Sequence, residues 1–347
     1  MAQSHDRLPM ALSMGDPAGV GPEIILKAFA GHAADMQAVC VIGNLAVMQR
    51  QLAQLSAHLP PGIQCHEVSG PSEALRVPSG HLPVINVTPD ASIEIGKVTP
   101  AAGRMAADAV TWAARAVLRN EFSALVTAPL HKKALSLAGV EYPGHTEMLQ
   151  ALAAEHLGLP VADLPVRMML SSPGLRVVLV SIHVSLRQAI DAVTTANVLE
   201  TLQIIHRSWP ALHGRHPRIW VAGLNPHAGE EGLFGLEEIQ VIAPAIALAN
   251  TQGLQVRGPF PPDTVFMQAH QASGADAPDV VLAMYHDQGL IPVKFLGTEH
   301  GVNQTLGLPF VRTSPDHGTA FDIAGQGLAD PSSLRAAVRA ALRPPLG

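Results

Sequence analysis

Three histidines in this 347-residue chain each follow an apolar stretch that is typical of a buried strand. They are His183 in SIHVSLR, His227 in NPHAGEEG and His286 in MYHDQGLIPVK. Neutral imidazole is the commonest nitrogen ligand of divalent metals, and three protein ligands leave one position open for a substrate. The pattern therefore predicts a catalytic metal centre. The chain has 17 histidines and these three are far apart in sequence, so a structural role for each remains the alternative.

Two carboxylates and one short segment add polar groups to this predicted site. Asp263 and Asp287 are candidates for a general base or for a partner that orients a metal ligand. In the segment PGHTE, His145 and Thr146 stand where a helix should begin. These two residues are predicted either to cap that helix or to bind a substrate.

Anion binding is predicted for three polar residues near the C-terminus, Lys294, Asn303 and Arg312. The net charge is −6 and there is no basic run, so a phosphate or carboxylate must be bound by a few placed cations. Arginine is suited to this task because its guanidinium can form two parallel hydrogen bonds to one anion. Surface salt bridges are the alternative role for Lys294 and Arg312.

The segment GDPAGVGPE resembles a phosphate-binding turn between a strand and a helix. Gly15, Gly19 and Gly21 would allow the backbone to approach a phosphate closely, and Asp16 would lie beside them. The segment matches neither GxGxxG nor GxxxxGK[ST]. A tight turn with Asp16 as its capping residue is therefore the alternative.

Strands and helices alternate along the chain, which predicts an α/β fold with a mostly parallel sheet. Thr99 and Pro100 are typical of the first positions of a long alanine-rich helix at 99–120. The predicted strands are at 10–14, 38–43, 82–87, 123–129, 166–170, 176–182, 218–226 and 279–285. In such sheets ligands bind beyond the carboxyl ends of the strands, and the three histidines fall there.

Composition excludes several classes of partner. Aromatic residues make up 4% and charged residues 14% of the chain, which disfavours nucleic acid and anionic membranes as partners. No apolar run is long enough for a membrane span or a signal peptide, so we expect a cytoplasmic protein. Cys40 and Cys65 are expected to be reduced thiols.

Taken together, these motifs resemble the 4-hydroxythreonine-4-phosphate dehydrogenase family of vitamin B6 biosynthesis. The matching stretches follow one another over nearly the whole chain and are MGDPAGVGPEI, TAPLHKKAL, PGHTE, the His183 loop, GLNPHAGEEGLFG, GPFPPDTVF, MYHDQGLIPVK, GVNQTLGLP and RTSPDHGTAFDIAG. The resemblance implies a two-domain fold like that of isocitrate and isopropylmalate dehydrogenases, with an interdomain cleft. It also implies a homodimer whose active site lies where the subunits meet. We expect an NAD-associated domain at 1–130 and 305–347, and a domain with the metal, substrate and dimer contacts at 131–304.

The resemblance also implies roles for individual residues. His183, His227 and His286 match the family's divalent-metal ligands, with zinc expected and nickel, cobalt, magnesium or manganese as alternatives. The substrate contacts are expected to be His145, Thr146, Lys294, Asn303 and Arg312. NAD is expected to bind without a dinucleotide fingerprint, and its expected contacts are Gly15, Asp16, Gly19, Gly21, Asp316 and His317.

The implied reaction is the NAD- and metal-dependent oxidation of a secondary alcohol with coupled or following decarboxylation. Its implied substrate is 4-hydroxythreonine 4-phosphate. The family also contains threonate and erythronate 4-phosphate dehydrogenases and terephthalate 1,2-cis-dihydrodiol dehydrogenases, and SIHVSLR and GTEHGVN depart from its usual pattern beside the metal and anion positions. These substrates therefore remain alternatives, as do a metal-dependent hydrolase and a non-catalytic ligand-binding protein.

Overall fold

The computed structural model describes residues 8–31, 33–297 and 299–342. The strands are β1 (Met10–Ser13), β2 (Val39–Gly43), β3 (Gln64–Glu67), β4 (His81–Asn86), β5 (Leu125–Thr127), β6 (Arg167–Ser172), β7 (Leu175–Leu179), β8 (Arg218–Ala222), β9 (Gln255–Phe260), β10 (Val280–Ala283), β11 (Val302–Leu306) and β12 (Arg312–Pro315). The helices are α1 (Gly21–Gly31), α2 (Ala33–Met36), α3 (Leu45–Gln54), α4 (Pro71–Ala74), α5 (Pro100–Leu118), α6 (Lys132–Leu137), α7 (His145–Leu157), α8 (Leu186–Asp191), α9 (Thr195–His213), α10 (Ala243–Thr251), α11 (Val265–Gln271), α12 (His286–Phe295) and α13 (Ser332–Ala341).

The described residues form two compact units. Unit 1 contains residues 8–164 and 308–342, and its strands lie in the order β3-β4-β2-β1-β5-β12 with every neighbouring pair parallel. Unit 2 contains residues 165–307 in the order β11-β6-β7-β10-β8-β9. There β6 is antiparallel to both β7 and β11, and the other pairs are parallel. The prediction of an α/β fold with a mostly parallel sheet is confirmed.

The boundary between the units differs from the sequence-based expectation. The chain passes from unit 1 to unit 2 after Leu164, whereas the sequence predicts the domain boundary after residue 130. Helices α6 and α7 belong to unit 1 because they pack on α5 in one apolar core, where Leu135 and Leu149 join Val110. At the contact of α5 with α6, a Cβ on Gly103 would lie only 2.0 Å from the Ala134 carbonyl oxygen, so only glycine permits this approach.

Helix α5 begins where the sequence predicts it. The Thr99 hydroxyl accepts a hydrogen bond from the Ala102 N–H at 3.2 Å, and Pro100 occupies the first turn, where no intrahelical donor is required. This cap fixes the start of the helix that carries the core of unit 1.

Both cysteines lie in strands of unit 1. Cys40 is buried in β2 and Cys65 is half-buried in β3, and both are free thiols. Burial raises the pKa of the Cys40 thiol to about 12, so it is not a reactive thiolate. Within the ranges that the structure describes, no helix has the length and apolar character needed to cross a membrane.

His213 should make the protein less stable in mild acid. Its ring packs against that of Trp209 at 4.3 Å between centroids. Burial, assisted by the charge of Arg176, lowers the pKa of His213 to about 4. The folded state therefore keeps the ring neutral, while the unfolded chain takes up a proton below the ordinary pKa of 6.5. This contribution disfavours folding progressively as the pH falls from 6.5 to 4 and is absent above that window.

Over this window, wild type should lose about 1–2 kcal/mol of unfolding free energy relative to His213→Gln. Each pH unit within the window changes the unfolding free energy by at most about 1.36 kcal/mol. We take half of the total over the window, because the ring is only half-buried and solvent screens its charge. Urea unfolding of both proteins at pH 7 and pH 4.5 measures the difference. Parallel pH profiles for the two proteins would contradict the prediction.

Candidate active site

The three predicted metal-binding histidines lie on loops at one edge of the unit 2 sheet. Strand β10 lies between β7 and β8 and is parallel to both, so the carboxyl ends of all three strands share that edge. His183 follows β7, His286 follows β10, and His227 follows β8. The rings of His183 and His286 are 5.7 Å apart between centroids. The sheet order therefore gathers three loops that are far apart in sequence.

Hydrogen bonds join these three loops to one another. The Ser181 hydroxyl of the β7 loop donates to the Met284 carbonyl oxygen at 3.2 Å. Gln288 accepts from the Met284 N–H at 2.7 Å and donates through Nε2 to the Gly223 carbonyl oxygen at 2.8 Å. Because the Ser181–Met284 and Gln288–Gly223 bonds each join the ends of two different strands, the positions of the three histidines are coupled.

The ring of His286 is oriented by the neighbouring carboxylate. His286 is the first residue of α12, and its Nδ1 lies 2.7 Å from Oδ1 of Asp287. A carboxylate on one ring nitrogen fixes the tautomer and leaves Nε2 available for a metal. Of the two predicted general bases, Asp287 is therefore engaged in holding a histidine.

The His227 loop has an unusual backbone. All five residues of 227–231 have positive φ, between 42° and 81°, although only Gly229 is a glycine. The left-handed conformation costs other residues about 1–2 kcal/mol each. Strain of this kind persists only where the surrounding structure determines the conformation, and it is concentrated at functional sites.

A cavity of about 810 Å³ adjoins these loops in unit 2. Its polar wall includes His227, Asp263, Asp287 and Gln288. The rest of the wall is mainly apolar and includes Leu175, Leu224, Phe266, Met267, Ile291, Pro292, Phe295 and Leu296. Asp263 is exposed to this cavity, which suits a base that accepts a proton from a bound molecule.

The donor set fits a divalent metal in chemistry, because imidazole and carboxylate groups are common metal ligands. His183 and His286 are close enough to share an ion, and Asp287 supports one of them. Over the described ranges, no group of three or more His, Cys, Asp or Glu side chains is arranged to hold a metal. The three-histidine ligand set, including His227, therefore stays a prediction.

Two of the predicted substrate-binding residues are also in unit 2. Lys294 is exposed in the last turn of α12, and Asn303 is half-buried in β11. Their roles in substrate binding stay predictions.

Arg312 in unit 1 is buried, with 4% of its surface exposed, so it is not a surface salt-bridge residue. Its Nη2 donates to the Thr127 hydroxyl at 2.8 Å. Burial lowers the pKa of Arg312 to about 10, against the opposing effect of Glu147, and the group remains charged at neutral pH. A buried guanidinium is well suited to an anionic ligand, because charge-assisted hydrogen bonds are strong where water is excluded.

His145 and Thr146 begin α7 of unit 1, as the sequence predicts. Neither caps the helix by a side-chain hydrogen bond, since Gly144 is the capping residue. Burial, together with the charge of Arg312, holds the pKa of His145 well below its usual range. The buried Nε2 of His145 makes no hydrogen bond within the described part of the chain. A neutral histidine with a free ring nitrogen beside Arg312 is consistent with substrate contact.

The glycine-rich turn of unit 1 is packed inside the protein. A Cβ on Gly15 would lie 2.4 Å from the Pro129 carbonyl oxygen, and one on Gly21 would lie 2.4 Å from that of Met14. Asp16 is buried, accepts from the Ala18 N–H, and has its pKa raised by that burial. Internal packing thus accounts for these glycines, and their contact with a cofactor remains a prediction.

The second segment expected to contact the cofactor lies against the first. The Val20 N–H donates to the Thr319 carbonyl oxygen at 2.9 Å, and a Cβ on Gly19 would lie 2.8 Å from that oxygen. Asp316 is half-buried and His317 is exposed at the start of the same segment. The fold therefore brings the two predicted cofactor segments together in unit 1.

Several residues that shape these sites were not found from the sequence. Gln288, Ser181 and Thr127 act through hydrogen bonds to residues that are distant along the chain. Only Gln288 carried a local signal, because it adjoins the HD pair of MYHDQG. The other two could be found only from the packed structure.

Comparison with known proteins gives a consistent result. A family model described as pyridoxal phosphate biosynthetic protein PdxA matches residues 35–341. The chain is similar to a 4-hydroxythreonine-4-phosphate dehydrogenase of Beijerinckia indica, with 47% identity over 340 residues that cover 96% of this chain and 94% of that protein. It is similar to a D-threonate 4-phosphate dehydrogenase of Salmonella typhimurium, with 43% identity over 96% of this chain and 98% of that protein. The crystal structure of a 4-hydroxythreonine-4-phosphate dehydrogenase from Klebsiella pneumoniae superposes with a TM-score of 0.83 at 40% identity, covering 96% and 98% of the two chains.

Proposed function

Because the chain belongs to the family of the pyridoxal phosphate biosynthetic protein PdxA, we propose that it oxidises 4-hydroxythreonine 4-phosphate with NAD and a divalent metal. The observation that carries this proposal is the 47% identity, over nearly the whole chain, to a dehydrogenase named for that substrate. The described residues supply three kinds of group that such a reaction needs. Unit 1 has a buried cation for the phosphate, and unit 2 has histidines for a metal and a carboxylate for the proton.

Arg312 is proposed to bind the phosphate or carboxylate of the substrate. Its guanidinium is buried and is held by Thr127, so it is already ordered before an anion arrives. His145 is kept neutral and can donate to or accept from an uncharged substrate group. Lys294 and Asn303 of unit 2 are proposed as further substrate contacts.

His183, His227 and His286 are proposed to hold the metal. A divalent ion, when bound, supplies Lewis acidity that lowers the pKa of a substrate hydroxyl group. Imidazole ligands suit zinc, nickel and cobalt, and zinc is the proposed occupant. Asp287 keeps His286 in the tautomer that presents Nε2.

Asp263 is proposed as the general base, because it lies in the cavity wall and Asp287 is engaged with His286. Its carboxylate would accept the proton of the substrate hydroxyl, directly or through water. NAD, when bound, supplies the hydride acceptor. Oxidation of an alcohol carbon adjacent to the carbon that bears a carboxylate gives a β-keto acid, which then loses carbon dioxide.

We also propose that the enzyme is a homodimer. Ile291 is 67% exposed and Phe295 is 89% exposed on α12, and Met267 is 53% exposed on α11. All three border the cavity beside the histidine loops. Apolar groups gathered at one place are typical of a surface that a second chain covers, and a second copy could then complete the metal site.

D-threonate 4-phosphate is the second candidate substrate, because a relative named for it is 43% identical. It has the same phosphate and the same kind of secondary alcohol, with a hydroxyl in place of the amino group. Arg312 would bind both molecules in the same way, so the two substrates differ only at the reacting end.

The test is to follow NADH formation by purified protein, loaded with zinc or cobalt, with each substrate supplied separately. We expect 4-hydroxythreonine 4-phosphate to be turned over with a kcat/KM at least about tenfold above that for D-threonate 4-phosphate, a difference of about 1.4 kcal/mol in transition-state binding. A chelator should abolish the rate, and added metal should restore it. The 1,2-cis-dihydrodiol of terephthalate, which lacks a phosphate, serves as the third substrate. Turnover of the diol alone, or no NADH with any substrate, would overturn the proposal.

A further inference from the structure

We infer that Glu238 is a positioning residue that holds the His227 loop, defined here as residues 223–231, in its left-handed conformation and thereby sets the affinity of the site for a divalent metal. The inference rests on the proposed function, since it requires His227 to be a metal ligand. It concerns a residue of a different element, which lies outside the cavity wall and does not contact the reacting atoms.

The carboxylate of Glu238 accepts hydrogen bonds from the start of the loop, at Leu224 and Asn225. Its Oε1 accepts hydrogen bonds from the N–H groups of Leu224 and Asn225, both at 2.7 Å. Its Oε2 accepts from the Asn225 side-chain amide at 2.9 Å. Glu238 is only 3% exposed, so these three donors replace water around a buried carboxylate.

The same carboxylate also lies close to the loop backbone at Gly223 and Gly229. A Cβ on Gly229 would lie 2.7 Å from Oε2 of Glu238, and a Cβ on Gly223 would lie 3.0 Å from its Oε1. The loop backbone therefore passes the carboxylate on two sides, with His227 between the two contacts. Such contacts supply the external constraint that a run of positive φ angles requires.

Glu238 is itself fixed to the apolar core of unit 2. It is the first residue of the π-helical segment Glu238–Ile242, and Ile242 is fully buried in the core beside α9 and β8. Single π-helical turns are rare in proteins, and those that occur are often at functional sites. The extra residue moves a side chain out of the regular helical register. The chain of contacts thus runs from the core through Glu238 to the backbone around His227.

The experiment measures the Co²⁺ affinity of metal-free full-length protein by its visible absorption, together with kcat as a function of Co²⁺ concentration. Glu238→Gln keeps the shape of the side chain but replaces one acceptor oxygen with a donor. We expect the Kd for Co²⁺ to rise 10- to 100-fold, the range typical for loss of a group that orients a metal ligand. Excess Co²⁺ should restore most of the kcat, because the ligands themselves are intact. A role in stability alone would lower the Tm and leave the Kd unchanged.

Glu23→Gln is the matched control. Glu23 is also fully buried and accepts from two backbone N–H groups, those of Gly325 and Ala329, but it belongs to unit 1. The Glu23→Gln variant should have a lower Tm than wild type, and its Kd for Co²⁺ should stay within twofold of the wild-type value. If Glu238→Gln does not fold, Asn225→Ala should raise the Kd at least threefold. This variant removes the side-chain amide that donates to Glu238 and to Glu237, and it keeps both backbone donors to Glu238.

The outcomes separate the inference from the proposed function. A wild type that binds Co²⁺ and reduces NAD, with Glu238→Gln and Asn225→Ala both within twofold of its Kd, would overturn the positioning role alone. A wild type that neither binds Co²⁺ nor reduces NAD would overturn the proposed function and this inference with it.

Discussion

Replacing His286 with alanine should reduce kcat by about 10³ or more while leaving the fold intact. His286 is the first residue of α12, which follows the central one of the three strands. Its ring lies 5.7 Å from that of His183 between centroids, and Asp287 orients it. Losing Lewis-acid stabilisation of the reacting oxygen removes several kcal/mol from the transition state, and about 4 kcal/mol corresponds to this factor. Steady-state NADH formation and Co²⁺ absorption titration measure the two effects.

His270→Ala is the control for that experiment. His270 is an imidazole in the wall of the cavity beside the histidine loops, but it belongs to α11 and no metal role is assigned to it. We expect both Co²⁺ binding and kcat in this variant to stay within a few-fold of wild type. If His286→Ala retained kcat within tenfold, or if the two variants lost equal activity, the assignment of His286 to the metal site would be wrong.

Replacing Arg312 with lysine should raise KM about 100-fold with a smaller change in kcat. Lysine keeps the charge but cannot form two parallel hydrogen bonds to one anion, and its shorter reach breaks the bond to Thr127. Charge-assisted hydrogen bonds are worth about 1.5–3 kcal/mol each, and losing one in the bound state accounts for this factor. Initial rates over a range of substrate concentrations separate KM from kcat.

The matched control is Arg167→Lys. Arg167 is also largely buried and bonds to Thr201, Asn197 and Glu200 in unit 2, but it is assigned no ligand. This variant should lower the Tm and leave KM unchanged. A KM for Arg312→Lys within threefold of wild type would show that Arg312 does not bind the anion.

The sequence alone determined the features that depend on neighbours along the chain. The capping of α5 by Thr99, the start of α7 at His145, and the strands that precede the three histidines all follow from short patterns of residue type. The family was also recognisable, because its motifs carry the histidines and the glycine-rich turns in one order. Local conformational preferences and hydrophobic periodicity act over a few residues, so such features are readable without a fold.

Some elements could not be predicted because their residues look unlike strands until they are paired. Strand β12 has the sequence RTSP, yet all four residues are buried, since it is parallel to β5 in unit 1. Strand β3 has the sequence QCHE and lies exposed at the edge of the sheet. In both cases long-range pairing, and not composition, decides the conformation.

Only the tertiary structure decided how the chemistry is assembled. The order β7-β10-β8 gathers the histidine loops, and the packing of α6 and α7 on α5 assigns His145 to the same unit as Arg312. The left-handed conformation of the His227 loop depends on Glu238, which lies on another element. The physical reason is that a side-chain contact has little value until both partners are held in place. Its energy therefore becomes available only when distant segments have already packed together.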